Sequence, residues 1–161
     1  MKTCEICQGI EKALVYESTG QVYYMKCAAS TAHPIGRRIF EACAKESHVN
    51  RDRLERLYRT YYKIEYAEYS EKNNASKHRS PYEKVPSGNL DESENLLPVL
   101  EHACSAGLET ASLYKGLSEG VTDKTLKRFF IGLADDKTKN VQIMRTQYEY
   151  IKGTGCYTEY K

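Results

Sequence analysis

The sequence predicts an all-α single domain over residues 1–161, a four-helix bundle of two antiparallel helix hairpins joined by a long crossover. Three observations carry this. Apolar residues recur at helical spacing in four long segments. The loops inside each half are short, while the link between the halves is long. A shift of 90 residues lays the second half over the first without a gap, Glu11 on Glu101 and Tyr58 on Tyr148 among others.

Hairpin one spans about residues 4–72. Its first helix runs from about Cys4 to Ala29, with Ile10, Leu14, Glu17, Gln21, Tyr24 and Cys27 or Ala28 on one face. Thr31 to Pro34 breaks it, because the residue before a proline avoids the helical region. Pro34 suits the first turn of the second helix, which carries Ile35, Ile39, Phe40, Cys43, Ser47, Leu54, Leu57 and Tyr58 and is expected to continue to about Glu71. The crossover, 73–90, holds Asn, Ser, Lys, Pro81, Pro86 and Gly88 and few apolar side chains. Hairpin two spans about 91–152. Its first helix runs from Asp91 to about Ser118, with Leu97, Leu100, Cys104, Leu108, Ala111 and Tyr114 as the apolar stripe. Thr122 or Asp123 can cap the last helix, and Gly153 and Gly155 end it, leaving the tail 153–161.

The matched pairs of the repeat fall at helical spacing: Ala13 on Ala103, Tyr24 on Tyr114, Arg38 on Arg128, Phe40 on Phe130, Ala44 on Ala134, Asn50 on Asn140. A period of this size points to a duplicated supersecondary unit.

Composition narrows the function classes. With 40% hydrophobic and 29% charged residues the chain reads as soluble and globular. No apolar run approaches the roughly 20 residues that span a bilayer, and the N-terminal residues do not resemble a signal peptide, so a cytoplasmic protein without a membrane partner is expected. A net charge of +2 gives no reason to expect nucleic acid. Six cysteines in such a setting are expected as thiols, with Cys27, Cys43 and Cys104 as small core residues.

Two frames of residues recur along the hairpins. In the first, Glu17 stands seven residues before Tyr24, followed by Pro34, Phe40 and Ala44. In the second, Tyr114, Asp123, Phe130 and Ala134 keep the same frame. Over roughly Ile10 to Ile151 the chain resembles the rubrerythrin-type proteins of the ferritin-like superfamily, without a rubredoxin module. The resemblance implies a ferritin-like bundle in which each hairpin supplies one Glu from its first helix and a Glu-x-x-His from its second. Those six side chains would hold two irons for redox chemistry, the i, i+3 spacing putting Glu and His on one inward face.

Here the ligand positions depart from the family. Only Glu17 is retained. The Glu-x-x-His of hairpin one falls on Ser47 and Asn50; in hairpin two the first-helix Glu falls on Gly107 and the Glu-x-x-His on Lys137 and Asn140. One carboxylate cannot hold two irons, and an ammonium at Lys137 would stand where the metals' charge belongs. The register instead predicts a buried Glu17–Lys137 ion pair.

Other constellations are weaker. Cys4-x-x-Cys7 has no second pair to complete a four-ligand site. Glu46 and His48 flank the ligand line but diverge by about 200° on a helix, so Glu46 is expected to face away from Ser47. Glu101 and His102 are adjacent and no better suited, and His33 and His78 are expected to be solvated in turns. Arg51, Arg53, Arg56 and Arg59 alternate with Asp52 and Glu55 as a charged helix face. Tyr58, Tyr61, Tyr62, Tyr66 and Tyr69 make the end of the second helix aromatic and suggest a homodimer contact. The ligand count favours a non-catalytic binding or interaction protein that needs no cofactor. The alternative implied by the resemblance is an iron-binding oxidoreductase with a relocated metal site drawn from Glu17, Glu46, His48, Cys4 and Cys7.

Overall fold

The computed structural model describes residues 3–62, 78–84 and 86–157. Four helices carry the fold: α1 (Thr3–Ala29), α2 (Pro34–Tyr62), α3 (Ser93–Gly120) and α4 (Lys124–Thr154). No strand occurs among the described residues. The expected continuation of α2 to Glu71, and Tyr66 and Tyr69 with it, lies outside them.

The repeat is visible in the backbone. The non-helical turns are residues 31–33 and 121–123, and α2 and α4 begin at Pro34 and Lys124, all in the 90-residue register. The two turns are held differently. Asp123 caps its own helix, accepting from Leu126 N at 2.8 Å. The α1–α2 turn borrows a carboxylate from the other hairpin: Asp91 accepts from Thr31 Oγ1 at 2.5 Å, Ala32 N at 3.0 Å and His33 N at 3.2 Å. Gly155 ends α4 in the left-handed conformation at φ 79°, its N–H donating to Ile151 O at 2.6 Å. Gly153 does not terminate the helix as expected but lies within it, because the left-handed turn that satisfies the last carbonyls comes two residues later.

Two apolar clusters fill the bundle, one toward each end. One gathers Tyr24, Phe40, Ala103, Val141 and Met144; the other gathers Leu14, Leu54, Leu117, Phe130 and Leu133. Cys27, Cys43 and Cys104 lie in the first as small core residues. Along each helix the two clusters are separated by a short polar stretch: Glu17 on α1, Ser47 and Asn50 on α2, Thr110 on α3 and Lys137 on α4, all buried. The bundle thus has a polar waist between two apolar halves. Leu108, expected in the core, is 42% exposed, because Gly107, Thr110 and Tyr114 set the inward line of α3 and leave 108 on its outer side.

The order of clusters along the chain settles the topology. α2 ends in the second cluster and α3 begins in the first, so the crossover must travel the length of the bundle. It does so along α1. His78 faces Glu11 at 4.0 Å, Ser80 Oγ meets Thr19 Oγ1 at 2.5 Å, and Leu90 N donates to Ser30 O at 2.8 Å. Within each hairpin the helices pack along their lengths. Between hairpins α1 meets α3 and α2 meets α4, leaving α1 and α4 on a diagonal.

The Asp91 contact gives a test with a definite sign. The Thr31 hydroxyl first, then the amide N–H groups of Ala32 and His33, hold its pKa below the ordinary 3.8. Its contribution to stability is therefore complete above that value and disappears as pH falls through the depressed one. Asp91→Ala is expected to lower the thermal midpoint at pH 7. The deficit against the parent protein should shrink stepwise as melts are repeated toward about pH 2. A deficit independent of pH would remove the turn-capping role.

Candidate functional site

Four helices bring one residue each, or two, to the waist, and Glu17 is at its centre. The side chain is 1% exposed. One carboxylate oxygen, Oε2, accepts from Lys137 Nζ at 2.8 Å. The other, Oε1, accepts from Tyr114 Oη at 2.5 Å and from Asn50 Nδ2 at 3.4 Å. The expected ion pair is thus present, and it spans the α1–α4 diagonal. Ser47 Oγ lies 3.4 Å from Lys137 Nζ, and Glu46 Oε1 lies 3.5 Å from it. Asn140 Nδ2 donates to the other oxygen of Glu46.

Glu46 corrects the expectation that it faces away. One residue before Ser47 it is rotated by about 100° from the inward line. On α2 that direction is the seam with α4, where a long side chain still reaches the buried ammonium. His48 stays outside, as the angular argument requires, with Arg51 and Asp52 as its partners.

Small residues at the waist are matched by intruding neighbours. A Cβ on Gly107 would lie 2.5 Å from Val141 Cγ2, so Val141 has taken the space of the missing side chain. A Cβ on Gly20 would lie 3.2 Å from the ring of Tyr82 and 3.4 Å from Ser47 Oγ. Tyr82 comes from the crossover, is 3% exposed, and places its hydroxyl 3.5 Å from that of Tyr24. Tyr82 is not among the residues that the sequence singles out, because the crossover has few apolar side chains and no periodicity to assign them a face. The available signal was a single Tyr in a segment otherwise rich in Asn, Ser, Lys and Pro.

The electrostatics follow from burial and charge. Desolvation alone would pull the Lys137 ammonium's pKa down. The charge of Glu17, with that of Glu46, outweighs it and holds the pKa above the ordinary 10.5. Burial, reinforced by the like charge of Glu17, pushes the Glu46 carboxyl up, and Lys137 only partly offsets this. Burial and then the adjacent Glu17 carboxylate raise Tyr114 well above the usual phenol value. The cluster is a hydrogen-bonded ion pair with a second carboxylate at its edge.

No family model matches this chain, and no curated protein matches it. A solved structure of a hypothetical protein from Pyrococcus furiosus is similar, with a TM-score of 0.70, 18% sequence identity and 94% of each chain covered. The likeness is one of fold.

Of the other residues that the sequence offered as ligands, Glu46 reaches the edge of the pair and the rest do not converge on Glu17. Cys7 is half-buried ten residues before it on α1, roughly 15 Å along the axis; the side chain of Cys4 lies outside the described residues. Among the described residues no group of three or more His, Cys, Asp or Glu side chains is placed to hold a metal. The six positions that the resemblance marks supply one carboxylate and, 2.8 Å from it, a fixed positive charge. Such a donor set does not fit two irons. His33 and His78 are half-buried rather than solvated. His33 stacks on Tyr157 at 4.6 Å between ring centroids, and His78 faces the buried Glu11, because the tail and the crossover fold back onto the bundle. Tyr58 is a core residue whose hydroxyl donates to Glu11 Oε1 at 3.4 Å, whereas Tyr61 is 48% exposed. The side chain of Tyr62 is outside the described residues.

Removing one member of a buried pair leaves the other desolvated and uncompensated. Lys137→Met and Glu17→Gln are each expected to cost about 3–5 kcal/mol in urea unfolding, and the double variant Glu17→Leu/Lys137→Met to recover much of that loss. Glu46→Gln should cost clearly less than Glu17→Gln, since the surroundings disfavour its charge. Equal losses at the two positions would contradict this ranking. Tyr82→Ala opens a cavity beside the pair and should lose about 3–5 kcal/mol, read by the same titration. A loss below that of an ordinary surface substitution would show that the ring is not a plug.

Proposed function

We propose that this chain is a rubrerythrin-related ferritin-like protein that has lost the diiron centre and acts as a non-catalytic binding or interaction protein. The observation that carries the reading is the ammonium of Lys137 at 2.8 Å from the one retained carboxylate, Glu17. A cation that belongs to the polypeptide balances the charge that iron would otherwise balance. Gly107, filled over by Val141, supports the same reading, since that position has lost the space for a ligand side chain as well as the ligand.

In this reading the protein works in the cytoplasm as a homodimer. Tyr61 on α2, together with Leu108, Ile131 and Ile143 on hairpin two, leaves large apolar side chains exposed, as expected of a chain with a contact surface. No helix among the described residues is long and apolar enough to cross a membrane.

Metal analysis of protein purified from iron-supplemented cells tests the central claim. Iron well below one atom per chain, with unchanged thermal unfolding after chelation, is the expected result. About two irons per chain, lost on substituting Glu17, would overturn the reading.

A further inference from the structure

A cleft of about 300 Å³ opens between α1, α3 and the crossover, and it shares no residue with the waist. Its back wall is Tyr23, 2% exposed, whose hydroxyl lies 3.2 Å from both Val99 O and His102 Nδ1. The phenol has one proton and two neighbours that could accept it. Both contacts are hydrogen bonds only if the hydroxyl donates to the carbonyl and the imidazole donates from Nδ1. In the neutral ring that count puts the proton on Nδ1 and leaves Nε2 as an acceptor on the ring that lines the cleft.

A second acceptor comes from the backbone. Pro98 stands inside α3 and has no N–H, so the carbonyl of Glu94 lacks its i+4 donor. Both ends of that missing bond, Glu94 and Pro98, line the cleft, and the Glu94 carboxylate adds a full negative charge. Lys84, from the crossover, supplies the opposite charge at the rim, while Pro86, Pro98, Val99 and the Tyr23 ring give apolar walls.

We propose that this cleft binds a small amino-acid-like zwitterion with an apolar side chain. Its ammonium donates to the Glu94 carboxylate and the Glu94 carbonyl. Its carboxylate pairs with Lys84, and its side chain lies against Tyr23, Pro86 and Pro98. The few placed polar groups on apolar walls are what orient a small ligand. The proposal goes beyond the reading of the waist. Iron content tests that reading and ligand binding tests this one, so either can fail alone.

The experiment is a titration of the full chain followed by amide resonances, with L-phenylalanine, benzylamine and phenylacetate as probes. L-Phenylalanine should shift the signals of Tyr23, Val99 and His102 saturably, with a Kd of about 1 mM or tighter. Benzylamine should bind more weakly and phenylacetate weakest. Pro98→Ala restores an N–H to the Glu94 carbonyl and cannot harm the helix. It and Glu94→Gln should each weaken L-phenylalanine and benzylamine about tenfold, the loss of one hydrogen bond to a charged group. Lys84→Met should bring L-phenylalanine down to the affinity of benzylamine and leave benzylamine unchanged. The proposal is overturned by any of three results. These are no saturation by L-phenylalanine up to about 20 mM, phenylacetate binding as well as benzylamine, or full affinity in Pro98→Ala.

Discussion

Every helix of this bundle is tied to one carboxylate. Glu17 belongs to α1, accepts from Asn50 on α2 and Tyr114 on α3, and pairs with Lys137 on α4. The last of these is the one that packing alone would not supply, because α1 and α4 are diagonal and their backbones do not meet. Two charges so placed have left water and regain that loss only with close geometry and full hydrogen bonding. The rest of the waist is arranged to meet that requirement. The apolar clusters above and below keep water out, which strengthens the attraction and also penalises any error in it.

The duplicated hairpins explain how a symmetric scaffold came to hold an asymmetric centre. Under the repeat, Glu17 corresponds to Gly107 and Ser47 to Lys137. Each corresponding pair is one large polar side chain and one small residue. The large ones meet across the diagonal, and the small ones leave space. Two different neighbours take up space there, Val141 from inside the bundle at Gly107 and Tyr82 from the crossover at Gly20, next to Ser47. Native interiors are close-packed, so a small residue at an inward position demands such a compensation. The crossover is therefore part of the core as well as a connection. The cleft outside Tyr23 also depends on it, since Lys84 and Pro86 form one of its walls.

Much of this was legible in the sequence. The four helices follow from apolar spacing, the hairpin loops from Pro34 and Asp123, and the topology from loop lengths and the 90-residue repeat. The Glu17–Lys137 pair was legible too, because a repeat register assigns inward positions without needing coordinates. What escaped were contacts made by irregular segments. Asp91 capping a turn in the other hairpin, Tyr82 entering the waist and Tyr157 stacking on His33 have no periodicity to reveal them. Glu46 escaped for a different reason. An angle on a helical wheel locates the Cβ, whereas a long side chain at a helix seam goes where the nearest buried charge draws it.

The sequence by itself determined the helical fold class, the two-hairpin order and which residues occupy the inward positions of the waist. These depend on local periodicity and on a fixed register between repeats. Only the tertiary structure decided how that centre is closed. Val141 over Gly107, Tyr82 over Gly20 and Glu46 at the edge of the pair are set by distances between segments far apart in the chain. The space available to a side chain, and the charge it meets there, exist only once the four helices and the crossover have come together.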